Sequence, residues 1–260
     1  MSFPNIVWGD FGDEKETSST RIGNLPLGAR MILPDGRVFA HCKQGGTAGI
    51  AGEFYISEAA TAGHGCVAGS ALVVDAAAAI GSTTVSITVG ATGAITANQY
   101  ADGYLTITAG TVGMGHIYKI VSNTAATTTE TGCKIYLDPD DAIKVALVAS
   151  STLVQLSPNP WKGLRVKPAG STFTGNPAGI LPIAIPADYY GWVQRSGQAA
   201  ALMAATAVTL GAPLTCSTTE TGALNEMVLV ETTAYSSFPV GIAFTGSDAS
   251  TWTTVMLNLD

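Results

Sequence analysis

The sequence predicts an all-β protein, built of β-sandwich or β-barrel domains with Gly/Pro-rich turns and an extended N-terminal arm. Three observations predict it. Short runs such as TTVSITV (83–89), GYLTITAG (103–110) and STLVQLS (151–157) alternate apolar and polar residues, as a half-buried strand requires. Thirty glycines and twelve prolines punctuate the 260 residues and supply the turns. No amphipathic helix of convincing length appears; GQAAALMAATA (197–207) is the best candidate, and its threonines and flanking glycine weaken it.

The elements follow in chain order. Residues 1–27 form the arm, with acids and hydroxyls concentrated in GDFGDEKETSSTRIGN (9–24). Such a segment frays, or orders on a neighbour. ARMILPDGRVFAHCK (29–43) is two apolar runs around Pro34-Asp35-Gly36. Proline presets φ and glycine accepts positive φ, so a hairpin is predicted there. A glycine-rich turn and the strand EFYIS follow. Residues 70–160 read as an inserted small barrel or sandwich, with strands about every ten residues. Within it, LDPDDAIKVAL (137–147) offers Asp138 as a cap with Pro139 behind it, enough for one helical turn. Residues 161–260 return to short strands between turns. GILPIAIP suits an edge or a bend, and YYGWVQRSG, AVTLGAPLT, NEMVLVET, FPVGIAFTG and WTTVMLNL are strands. RVFAHCKQGG and YGWVQRSGQ echo one another, so 28–69 and 161–260 are expected to form one domain around the insertion.

Composition narrows the function. Charged residues make up only 12%, against about 25% in a typical soluble domain, and the mean hydropathy is +0.31. That suits a β protein that covers part of its surface with a partner. The net charge is −7, and the densest basic stretch, WKGLRVK, holds three cations. Nucleic acid is therefore not an expected partner, because phosphate binding needs a concentrated positive face. No apolar stretch is long enough to span a bilayer, and the start lacks the pattern of a signal peptide, so no membrane role is expected. The four cysteines, at 42, 66, 133 and 216, form no CxxC and read as free buried thiols rather than disulfides.

The motifs give little chemistry. GTVGMG has the spacing GxxGxG and runs into HIYKIV, a strand, so it is a hairpin turn and not a dinucleotide or phosphate loop. His41-Cys42 point to opposite faces of a strand; His64 and Cys66 could share a metal but are too few to close a site. DPDD lacks the spacing of a calcium loop and reads as a solvated turn. No GxSxG is present, and no histidine sits in a triad context. A carboxylate pair for glycoside hydrolysis stays open, because such partners meet only in space, but acids are sparse among the strands. The expectation is no enzyme, no cofactor and no metal.

Four segments carry a resemblance: LGARMILPDGRVFAHCKQGGTAGIAGEFY, NQYADGYLTITAGTVGMGHIYKIVSN, YYGWVQRSGQAAALM and FPVGIAF. Together they resemble the capsid decoration, or cement, proteins of tailed bacteriophages. The resemblance implies a β-rich virion protein, often a homotrimer, made in the bacterial host. It would sit on the outer capsid surface and bridge major capsid protein subunits. It implies no catalytic residue. On this expectation the interface residues are Asp10, Phe11, Glu14 and Arg21 of the arm, Pro34, Asp35, Arg37 and Phe39 of the hairpin, and the aromatics Trp161, Tyr190 and Trp192. A tail-fibre or receptor-binding component is the alternative. It would share the composition and could stack sugars on Trp161, Tyr190 or Trp192.

Overall fold

A computed structural model describes residues 6–65, 72–91, 93–110, 112–170, 173–227 and 238–260. The chain is all β, as predicted. Among the described residues helix is confined to three single 3-10 turns, Asp13–Lys15, Ile22–Asn24 and Pro139–Asp141. In the last, Asp138 accepts from the Asp140 N–H and Pro139 opens the turn, the cap the sequence predicts.

Packing divides the chain into two compact units, Met1–Glu58 with Pro160–Asp260, and Ala59–Asn159. The sequence places residues 59–69 with the first unit; in the fold 59–65 group with the second. There His64 hydrogen-bonds the Tyr100 hydroxyl and Gly93 O, and its carbonyl accepts from Leu156 N at 3.1 Å.

The strands are β1 (Ile6–Trp8), β2 (Arg30–Ile32), β3 (Val38–Lys43), β4 (Phe54–Ile56), β5 (Leu72–Val74), β6 (Thr84–Thr88), β7 (Tyr104–Ala109), β8 (Ile117–Asn123), β9 (Cys133–Leu137), β10 (Leu153–Ser157), β11 (Arg165–Val166), β12 (Pro177–Ile180), β13 (Tyr190–Leu202), β14 (Pro213–Cys216), β15 (Leu224–Glu226), β16 (Pro239–Ala243) and β17 (Trp252–Asn258).

The second unit is a closed six-stranded barrel in the order β10-β5-β6-β9-β8-β7, antiparallel throughout. Every strand sends alternate residues inward: Leu72 and Val74, Val85 and Ile87, Leu105 and Ile107, Tyr118 and Ile120, Cys133, Ile135 and Leu137, Val154 and Leu156. A barrel this narrow is filled by its own side chains. The GTVGMG stretch is the β7–β8 connection. Gly115 donates to Ile107 O and His116 to Gly113 O, with Gly113 and Gly115 at φ of 75° and 83°, where glycine alone is unstrained.

The first unit is an open sheet in the order β1-β2-β3-β13-β17-β16-β14-β15, with β12, β4 and β11 branching from β13. β3 and β13, the two segments that echo one another in sequence, pair antiparallel from Tyr190↔Lys43 to Ser196↔Val38. Three apolar clusters fill the unit, centred on Leu214, Val240 and Val255; on Leu164, Leu181 and Val193; and on Met31, Phe39 and Trp192.

One expectation fails in this unit. The helix candidate 197–207 is largely strand: Ser196–Leu202 pairs residue by residue with β17. Ala199 and Ala201 are buried while Gln198 and Ala200 are exposed, a period of two that pairing imposes over alanine's helical preference. GILPIAIP is the bend rather than the edge of the two options: β12 is held between β13 and β4 and ends at Ile180, and the chain bends at Pro182 and Ile183.

The arm lies on its own unit. β1 runs parallel to β2, Ser18 and Tyr190 exchange backbone hydrogen bonds, and Val7, Ile22 and Leu25 pack on the Met31–Trp192 cluster. Scattered apolar residues suffice for this, because each meets a prepared surface.

Candidate functional site

The predicted interface residues fall into three groups. Asp10, Phe11, Pro34 and Asp35 are exposed and Arg37 is half-buried. Glu14, Phe39 and Trp192 are interior, at 3%, 0% and 3% exposure, and cannot reach a partner across the surface of this chain. Phe39 and Trp192 belong to the core because their partner strands turn those faces inward. Arg21, Trp161 and Tyr190 are half-buried within the unit. The guanidinium of Arg195 lies 4.9 Å from the Trp161 ring centre. Tyr190 stacks on His41 at 5.7 Å and carries Lys43 over its ring.

The arm and the hairpin meet. Arg37 reaches Glu14 at 3.6 Å and clamps Asp35 through its Nε at 2.7 Å and its backbone N–H at 3.1 Å. Slight burial raises the Asp35 carboxyl, but the hydrogen bonds and charge of Arg37 outweigh it and hold the group below its ordinary value. Glu14 also accepts from Gly12 N at 2.7 Å. This cluster fixes the hairpin tip beside the arm.

Next to it lies a feature that sequence reasoning misses. β1 is the outermost strand and, among the described residues, pairs only with β2. Its flank presents Trp8 at 78% exposure, Phe11 at 65% and Ile6 at 44%. The signal was present: Trp8 is a large aromatic in the most polar stretch of the chain. An edge strand offers unpaired N–H and C=O groups to another chain.

Chemistry is sparse. Among the described residues no group of three His, Cys, Asp or Glu could hold a metal ion. His41 points to Pro26 O at 3.2 Å and Cys42 to Gly191 O at 3.4 Å, so the pair diverges. Burial lowers the His41 pKa and raises the Cys42 thiol. His64 is fully buried. Gly93 O can only accept, so the His64 Nε2 carries the proton and its Nδ1 accepts from the Tyr100 hydroxyl. Cys66 lies outside the described residues; Cys42, Cys133 and Cys216 are free and buried. Among the described residues no helix is long and apolar enough to cross a membrane. A cleft of about 700 Å³ opens between the glycine-rich loop after β3 and residues 162–166. In its wall Tyr55 donates to Glu53 at 3.3 Å, and burial raises the Glu53 carboxyl. Scanned against protein-family models, curated proteins and solved structures, the chain matches none.

Proposed function

We propose that the protein is a structural virion component that decorates and stabilises the outer surface of a tailed-phage capsid by bridging major capsid protein subunits, acting as a homotrimer without catalysis. One observation carries the docking surface: the open β1 edge with Trp8, Phe11 and Ile6 exposed beside the Arg37 clamp. On a free chain such an edge is a liability. On a shell it offers backbone hydrogen bonds and aromatic anchors together. The low charge of the chain and the resemblance of its segments to cement proteins support the same reading.

The test is sedimentation of the purified protein with undecorated expanded heads and, separately, with isolated tails. Saturable binding to heads in many copies per particle is expected, with occupancy falling about tenfold or more for Trp8→Ala. Binding to tails alone would overturn the capsid reading in favour of a receptor-binding tail component.

A further inference from the structure

A second groove of about 400 Å³ lies on the first unit, between the arm and the β13–β17 face. Its one aromatic wall is Trp252, 58% exposed. The indole does not swing freely. Its Nε1 donates to Ala51 O at 3.4 Å, and the ring lies against Gly52. A Cβ at Gly52 would stand 2.5 Å from the indole nitrogen, and Gly52 holds φ of 80°, so glycine is required twice over. The ring is thus a fixed platform.

The rest of the lining is mixed: Ala51, Ile180, Leu181, Pro182 and Ala200 are apolar, and a few polar side chains stand among them. Gln198 and Thr254 project from neighbouring positions on β13 and β17, and Glu14, Lys15 and Arg37 close the other side. Glu14 and Arg37 are preset by the hydrogen bond from Gly12 and by the Asp35 clamp. Of the charged lining residues, Glu14 and Arg37 are already paired with one another, and Arg37 also with Asp35, so a charged ligand would have to compete with those pairs. A neutral ligand that offers both donors and acceptors, and an apolar C–H face for the indole, meets every wall.

We propose that this groove is a binding subsite for a neutral hexopyranose unit, stacked on Trp252 and hydrogen-bonded by Gln198, Thr254 and Arg37. The volume suits one or two sugar rings and lies within the range of small-ligand pockets. The proposal stands apart from capsid docking, because the site is complete on one chain and needs no virion to be tested. It also replaces the aromatics that the sequence offers for stacking: Trp192 is core, and Trp161 lies under Arg195.

The experiment is a nuclear magnetic resonance titration of the full chain, following the indole N–H signals of the four tryptophans. The probes are methyl glucoside, methyl galactoside, N-acetylglucosamine and their β1,4-linked disaccharides, with glycerol as control. Trp252→Phe assigns the signal. The expected result is a saturable shift of the Trp252 signal with at least one sugar and none with glycerol, at a dissociation constant on the order of 1 mM. Trp252→Ala and Gln198→Ala, both at exposed positions, should each weaken binding about tenfold while the fold is retained. No saturable shift with any sugar overturns the proposal, as does a shift that glycerol reproduces. A Trp252 signal that responds to protein concentration and not to sugar also overturns it and makes the face a contact between copies.

Discussion

The barrel and the open sheet solve the same problem in opposite ways. The barrel, 59–159, is one continuous stretch of chain around one core, and its closure leaves no strand edge. The other unit is assembled from two stretches, holds three separate clusters, and ends its sheet in a strand that, among the described residues, has a partner on one side only. Closure gives a barrel whose strands all have neighbours on both sides. The open sheet keeps an edge, a groove and most of the exposed aromatics. All four tryptophans lie in it and none in the barrel, so tryptophan fluorescence reports the open unit alone.

That contrast can be broken most strongly from the barrel side. Leu156 is fully buried in the single core. Leu156→Ala should destabilise the barrel by about 2–5 kcal/mol. Amide exchange should quicken through β5–β10, while tryptophan fluorescence unfolds at an unchanged denaturant concentration. A parallel shift of the fluorescence transition would show that the two units do not unfold independently.

The reciprocal change is Lys167→Ala. The Lys167 side chain is buried, and its ammonium donates to Gly170 O at 2.6 Å and Ser217 O at 2.7 Å. Its loss orphans both carbonyls and should destabilise the open unit by about 3 kcal/mol. The fluorescence midpoint should move, and barrel exchange should not.

A third effect appears in alkali. Burial raises the thiol of Cys42, the thiol of Cys216 to about 12 and the Tyr55 hydroxyl to about 12. The unfolded chain loses these protons first, at the ordinary values of 9.0 for a thiol and 10.0 for a tyrosine, so stability of the open unit falls as pH rises from about 9. Lys167 works in the opposite sense, because burial lowers its pKa and the unfolded chain holds that proton longer. Among the described residues of the barrel, buried Cys133 alone has a raised thiol. The fluorescence midpoint should fall between pH 9 and 11, with up to about 2 kcal/mol from each of the two thiols. The double variant Cys42→Ala, Cys216→Ala should flatten most of that slope; an unaltered slope would place its cause elsewhere.

Legibility followed the same division. β6, β7 and β10 stand where alternation put them, and the GTVGMG turn is the hairpin its spacing implies. In the open unit, alternation located β17 but not its buried face. WTTVMLN alternates equally well with Trp252, Thr254 and Met256 inward or outward. The alanine-rich half of β13 has no contrast to read at all.

By itself the sequence determined the strand class and the turns, because a period of two and the demands of a tight turn act over a few residues. The tertiary structure alone decided that Trp192 and Phe39 are core while Trp8 and Trp252 face outward, that the arm lies on its own sheet, and that β3 meets β13 across the inserted barrel. The physical reason is register. A slip of one residue exchanges the two faces of a strand, and only the partner strand, distant in the chain, fixes which face is buried.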